Sequence, residues 1–141
     1  MMYKDVITTH EEALTHLFFH CCFKDDTFND DELKAIADKL VMVDLHTHLN
    51  FKEEVVKYRS YRPQLEDEQA YLNYLVQLIR PTNELALYSY CVELCLGDAI
   101  LGATEERLLK QLAHLFEIEA DAEAINKLMI QRKVVETQKL F

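Results

Sequence analysis

Glycine, proline and long apolar runs are all scarce in this sequence. Two glycines and two prolines in 141 residues leave little material for hairpin turns, and they let helical segments continue without interruption. No apolar run reaches the roughly 18 residues that a membrane-spanning helix needs. These shortages predict an all-α protein that does not insert into a membrane.

Basic clusters are missing as well. The chain has 25 acidic and 15 basic residues, a formal net charge of −10, and its densest basic stretch is only Gln131-Arg132-Lys133. An acidic surface repels phosphate backbones, so nucleic-acid binding is disfavoured. Two interpretations of the acidity stay open: it attracts divalent cations or basic partners, or it only keeps the protein soluble.

The cysteines indicate a reducing environment. They are Cys21, Cys22, Cys91 and Cys95. All four lie in apolar helical runs, and the first twenty residues carry His10, Glu11 and Glu12 where a secretory signal would need an apolar segment. We therefore expect a cytoplasmic protein whose thiols are reduced and buried.

Apolar residues recur at helical spacing along most of the chain. Together with the length, this predicts one domain over residues 1–141, with a core from about residue 9 to about residue 138 and about seven helices. The expected helices are about 9–23, 30–43, 50–62, 65–80, 84–96, 103–116 and 120–138, and the expected caps of the first and third are Thr9 and Asn50. The first and fifth are the most apolar, and we expect them to pack together as the two central helices.

Two stretches of the chain repeat one pattern, in which an apolar helix leads into a short acidic loop and a capped helix. The first is 22–32 and the second is 95–105, at a constant offset of 73 residues. The offset pairs Cys22 with Cys95, Asp25 with Asp98, Phe28 with Leu101, Asn29 with Gly102 and Glu32 with Glu105. We call these two loops the first and second corner, and they predict an internal duplication.

Each corner places a carboxylate just after a helix C-terminus. The unpaired carbonyls there carry partial negative charge, so an acid costs about 0.3–1 kcal/mol unless a cation compensates it. A hard cation prefers carboxylate and carbonyl oxygens, which favours calcium, magnesium or manganese over zinc. The predicted ligands are Asp25, Asp26, Glu32, Asp98 and Glu105.

A second interpretation of the corners needs no metal. Glu32 and Glu105 each follow a cap position by three residues, which is the spacing of a capping pair. The loops are not EF-hands, because counting from Asp25 puts Asp30 at position six instead of glycine and Ile36 at position twelve instead of glutamate.

The repeated pattern, above all the segment 94–107 (LCLGDAILGATEER), resembles the tellurite-resistance protein TerB family. The TerB-like N-terminal domains of some J-domain co-chaperones belong to the same superfamily. The resemblance covers roughly residues 9–138 and implies a seven-helix bundle whose shared acids bind a cation. Those acids fall on Asp25, Glu32, Asp98 and Glu105.

The chain departs from the family directly after each aspartate. The family usually has glycine there, whereas this sequence has Asp26 and Ala99. Aspartate tolerates a left-handed backbone, whereas alanine tolerates it poorly.

Histidines offer two weaker metal candidates. His46 and His48, with Asp44 nearby, resemble a metal-hydrolase motif, but they lie in an interhelical loop without a carboxylate fixed by spacing. His16 and His20 share a helix face and have the spacing to chelate zinc. Because the glutamate of the His-Glu-x-x-His motif is absent, we expect a pair of partly buried histidines instead.

The leading hypothesis is a non-enzymatic TerB-like domain that binds a divalent cation. The resemblance implies a role in stress response or in assembling protein complexes, with a protein partner that the sequence does not identify. The alternative is a protein-interaction or scaffold module whose corners are only structural. A small metal-dependent hydrolase built on His46, His48 and Asp44 is the remaining hypothesis.

Overall fold

A computed structural model of the chain describes residues 2–23, 28–97 and 99–141. By its contacts the chain divides into two compact units, residues 1–80 and residues 81–141. Every regular element in the described ranges is helical, which confirms the predicted all-α class. These elements are α1 (Tyr3–Val6), α2 (His10–Cys22), α3 (Asp30–Met42), α4 (Phe51–Tyr61), a 3-10 helix (Arg62–Gln64), α5 (Glu68–Ile79), α6 (Glu84–Cys95), α7 (Ala103–Leu115) and α8 (Glu119–Gln138).

The seven predicted helices correspond to α2 through α8. The first is held at its N-terminus by a reciprocal capping box, in which the Thr9 hydroxyl accepts from the Glu12 amide and the Glu12 carboxylate accepts from the Thr9 amide. Asn50 caps α4 as predicted. The predicted start of α5 was three residues early, because the side chain that caps the helix is Asp67, which accepts from the Ala70 amide.

In the unit 1–80, α2 is the central helix. It contacts α3, α4 and α5. Ten consecutive residues of α2, from Ala13 to Cys22, are buried. A helix whose residues are buried in every direction needs neighbours on all its faces, and three helices surround α2 accordingly.

In the unit 81–141, α6 is the central helix and contacts both α7 and α8. Cys91, Val92 and Cys95 of α6 are fully buried, and so is Leu112 of α7. Of the twenty residues of α8, all of them described, only Met129 is buried.

The predicted duplication is present in the backbone. Helices α2 and α6 end 73 residues apart, and α3 and α7 both have 13 residues and begin 73 residues apart. Phe23 and Leu96 leave their helices with similar dihedral angles, φ/ψ of −80°/91° and −87°/82°. Asn29 and Gly102 enter the next helices at −94°/168° and −78°/172°.

The repeat extends to the ends of α3 and α7. The Leu45 amide donates to the Leu40 carbonyl at 2.9 Å, and the Ile118 amide donates to the Ala113 carbonyl at 3.0 Å. Between these residues Asp44 and Glu117, again 73 apart, adopt left-handed φ values of 56° and 58°. Both helices therefore end in the same Schellman-type turn, although neither has the usual glycine.

Among the described helices, none combines the length and the apolar character that crossing a bilayer requires.

Candidate functional site

The structure places part of each predicted cation corner. Glu32 and Glu105 lie in the first turns of α3 and α7, at the equivalent third position of each helix. Asp25, Asp26 and Asp98 lie outside the described residues. Of the predicted ligands, the structure therefore describes only Glu32 and Glu105.

At the first corner, Glu32 is occupied by helix capping. Its Oε1 accepts from the Asn29 amide at 3.3 Å, while its own amide donates to Asn29 Oδ1 at 2.7 Å. Two guanidinium groups border the corner, since Arg62 lies 5.0 Å from the ring centroid of Phe23 and Arg59 lies 5.6 Å from that of Phe28. Positive charge is already present beside this corner.

At the second corner, the carboxylate of Glu105 folds back over its own cap residue. A Cβ added to Gly102 would lie 3.1 Å from Glu105 Oε2 and 3.3 Å from Oε1. Gly102 supplies no side chain, so the bond that Asn29 Oδ1 accepts from the Glu32 amide in the first corner has no counterpart here.

Ala99 adopts the conformation that its residue type resists. Its φ of 53° lies in the left-handed region. The Cβ of an L-residue crowds the following carbonyl there, at a cost of roughly 1–2 kcal/mol. The second corner therefore has, at this position, a backbone conformation that glycine would adopt without strain.

In the described part of the chain, no three His, Cys, Asp or Glu side chains come close enough together to hold a metal ion. His46, His48 and Asp44 are all exposed and lie in the connection between α3 and α4. Their exposure agrees with the interpretation of His46 and His48 as loop histidines.

The polar site that the structure does assemble lies around His16 and His20 in the unit 1–80. Their side chains were expected to be partly buried, and this was an underestimate, because His16 is 0 % and His20 is 5 % exposed. Both rings project from α2, which is buried on every side, so neither can reach solvent without a change in packing.

His16 lies between a carboxylate and a phenol. Its Nε2 is 2.9 Å from Glu54 Oε1, and its Nδ1 is 2.6 Å from the Tyr61 hydroxyl. Because a carboxylate only accepts, Nε2–H donates to Glu54 and Nδ1 accepts from Tyr61. The Tyr61 oxygen then accepts from the Tyr71 hydroxyl at 2.5 Å, which completes a chain of buried hydrogen bonds.

His20 repeats this arrangement one helical turn later. Its Nε2 is 2.8 Å from Glu68 Oε2 and its Nδ1 is 2.8 Å from the Tyr58 hydroxyl. The same reasoning makes Nε2–H the donor to Glu68 and Nδ1 the acceptor from Tyr58. Seven side chains take part in these two series of hydrogen bonds. We call them the histidine–tyrosine network: His16, His20, Glu54, Tyr58, Tyr61, Glu68 and Tyr71.

Burial sets the protonation of this network. It lowers the pKa of both His16 and His20, and the hydrogen bonds that the two rings donate to Glu54 and Glu68 oppose that shift without cancelling it. Burial likewise raises the pKa of Tyr58 and Tyr71 well above that of free tyrosine. At neutral pH the histidines are therefore neutral, and the phenols keep the protons that they donate.

Sequence reasoning found the two histidines and missed their partners. Glu54, Tyr58 and Tyr61 recur at intervals of four and three residues on α4, which places them on one helix face. A glutamate followed by two tyrosines on one helix face was the available signal, since a carboxylate buried with such a face needs a donor.

Comparisons of the chain with protein-family models, with curated proteins and with solved structures find no match.

Proposed function

We propose that the chain is a non-enzymatic, TerB-like helical domain that binds a divalent cation, with the second corner as its principal site. The cation is calcium, magnesium or manganese, held by Asp98 and Glu105. The role in stress response or in complex assembly rests on the resemblance to the TerB family.

The backbone of the second corner is the observation that carries this proposal. The absence of glycine after Asp98 was the main objection to a site here, because alanine resists a left-handed turn. Ala99 nevertheless has a φ of 53°. A residue held in an unfavourable conformation indicates that the surrounding loop requires this shape, and functional loops commonly contain such residues.

A protein-interaction module without a metal is the second candidate, and the first corner favours it. Glu32 is engaged in a complete capping box, and the guanidinium groups of Arg59 and Arg62 lie beside Phe28 and Phe23. Arginine can offset the negative charge of a helix C-terminus as a metal ion would. We therefore expect cation binding at the first corner to be weaker than at the second.

The non-enzymatic part of the proposal is supported by how the histidines are used. Both ring nitrogens of His16 and of His20 are hydrogen-bonded to buried or half-buried side chains. A general base must reach its substrate's proton. These rings are instead engaged in holding α2 against α4 and α5.

Calorimetric titration of the whole protein with calcium, magnesium, manganese and zinc chlorides tests the proposal. We expect a dissociation constant of about 10⁻⁴–10⁻³ M for the preferred hard cation, as in exposed sites with few carboxylates. Asp98→Asn should abolish the heat of binding, whereas Asp25→Asn should leave most of it.

The matched control is Asp121→Asn, which removes one carboxylate from the first turn of α8. This variant should bind the cation like the wild type. If the wild type gives only heats of dilution and its melting temperature is the same with and without a chelator, the cation proposal is wrong and the interaction module remains.

A further inference from the structure

An open groove runs along one face of the unit 81–141. Its volume is about 440 Å³, which is within the range of about 300–1,000 Å³ typical of ligand sites. One wall consists of Glu106 and Lys110, which are four residues apart on α7. The other wall consists of residues of α8 from Glu119 to Ile130, a span of about 16 Å along the helix.

The floor of the groove is apolar and firmly held. Ala113 and Ala122 are small, and this leaves the depression between the two helices. Tyr88 of α6 also lines the groove and is 1 % exposed. Its hydroxyl donates to Asn126 Oδ1 at 2.8 Å, and burial raises the pKa of Tyr88 to about 12, so it stays a donor at neutral pH.

The rim of the groove is mainly acidic. Among the described lining residues, Glu106, Glu119 and Glu123 carry negative charge and Lys110 carries positive charge. Glu119 contacts His114 at 3.2 Å and Glu123 contacts Lys127 at 3.4 Å, both on the surface. Exposed pairs of this kind contribute about 0–1 kcal/mol, so an incoming cation can replace them easily.

We propose that this groove binds an amphipathic, basic helix of a partner protein. Apolar side chains of that helix enter between Ala113 and Ala122, and its Lys or Arg side chains pair with Glu106, Glu119 and Glu123. The trough shape, with two helical walls and a small-residue floor, suits the helix-in-groove mode of recognition. A second copy of this chain fits less well, because each copy carries a net charge of −10. The inference stands whether or not the corners bind a cation.

Fluorescence anisotropy with a labelled peptide tests this inference on the full chain. The probe is a peptide of about 18 residues, made of Leu, Ala and Lys, with Leu on one helical face and Lys on the other. One control peptide has the same composition in scrambled order, and another has Glu in place of every Lys. We expect the basic amphipathic peptide to bind at least about tenfold more tightly than either control.

Charge reversal at the rim provides the first pair of variants. Glu123→Lys should weaken binding of the basic peptide by about fivefold to tenfold, because it replaces an attraction with a repulsion. Glu136→Lys makes the same change in charge on the same helix, about 20 Å further along, and should leave the affinity within about twofold. Equal losses in the two variants would mean that only diffuse charge is being measured and would overturn the assignment of the groove.

Filling the floor provides the second pair. Ala122→Leu places a larger side chain in the groove and should weaken binding by about tenfold, whereas Ala120→Leu, at an exposed position outside it, should not. Both substitutions insert a good helix former, so circular dichroism should show unchanged helicity.

Two other results would contradict the proposal. If the scrambled peptide bound as tightly as the amphipathic one, the groove would not be recognising an apolar helix face. Concentration-dependent dimers that Ala122→Leu abolishes, seen by analytical ultracentrifugation, would show that a second copy of the chain occupies the groove.

Discussion

At the scale of single residues, the direction of each hydrogen bond defines the histidine–tyrosine network. A tyrosine donates to Nδ1 of each histidine, and each Nε2–H donates to a glutamate. A neutral imidazole satisfies both partners at once. If Nδ1 were also protonated, it would become a donor, and the tyrosine hydroxyl could no longer donate to it. The hydrogen bonds of the folded protein therefore favour neutral histidine.

The protein should therefore lose stability as the pH falls below about 6.5. Burial lowers the pKa of His16 and His20 in the folded state, so the unfolded chain takes up protons at a higher pH than the folded chain. The free energy of unfolding then decreases with falling pH, by up to about 1.4 kcal/mol per pH unit for each histidine, until the folded pKa is passed. Urea denaturation at several pH values between about 5.5 and 7.5 measures this slope.

The groups responsible are identified by the slope of the free energy of unfolding against pH, and not by the absolute stability of each variant. His16→Gln combined with His20→Gln removes both titrating groups and should flatten the profile, even if the variant is less stable throughout. His46→Gln combined with His48→Gln removes two exposed histidines and should leave the profile unchanged. A steep profile in the first variant would assign the effect to other groups.

Sequence reasoning could place His16 and His20 on one face of a helix but not assign their roles. Their partners come from α4 and α5, about 38–48 residues later in the chain. Spacing within one helix follows from its 3.6-residue period. Contacts between helices depend on which faces meet in the folded core, and no local pattern in this sequence specifies that.

At the scale of elements, the ends of the helices were the most predictable features. Thr9, Asn29 and Asn50 all cap the helices that the sequence assigned to them, because a side-chain acceptor three residues before an amide is a local interaction. The short helix α1 was missed. It has four residues and no side-chain cap, and Tyr3 packs at 5.0 Å, between ring centroids, against the distant Tyr71.

The left-handed backbone of Ala99 in the second corner is a strain that a substitution can relieve. Ala99→Gly should stabilise the protein by about 0.5–1 kcal/mol, because relief of the left-handed alanine, worth about 1–2 kcal/mol, exceeds the added chain entropy of glycine in the unfolded state, about 0.4–1 kcal/mol. The free energy of unfolding from urea titration measures the difference.

The control for this substitution is Ala124→Gly in the exposed middle of α8. There glycine should lower the free energy of unfolding by about 0.5–1 kcal/mol, because a helical position needs no left-handed backbone and glycine only adds conformational freedom to the unfolded chain. Opposite signs for the two substitutions are expected. A loss of stability from Ala99→Gly would mean that the left-handed turn carries no strain.

At the scale of the whole molecule, the two units have different kinds of core. The unit 1–80 contains the entire histidine–tyrosine network, in which aromatic and polar side chains are buried together. The buried residues of the unit 81–141 are mainly aliphatic side chains and cysteines around α6. The duplication of the corners therefore does not extend to the chemistry of the cores.

Expressing each unit alone tests how far this division matters for folding. The hydrogen bonds described above for the network all join residues within 1–80, so we expect the fragment 1–80 to keep its helical circular dichroism and to unfold cooperatively. The fragment 81–141 is close to the size at which a single core is marginal, and we expect it to melt at a clearly lower temperature. Thermal melts followed at 222 nm, with the full chain beside them, give the comparison. A fragment 1–80 without cooperative unfolding would instead favour the sequence-based prediction of one indivisible domain over residues 1–141.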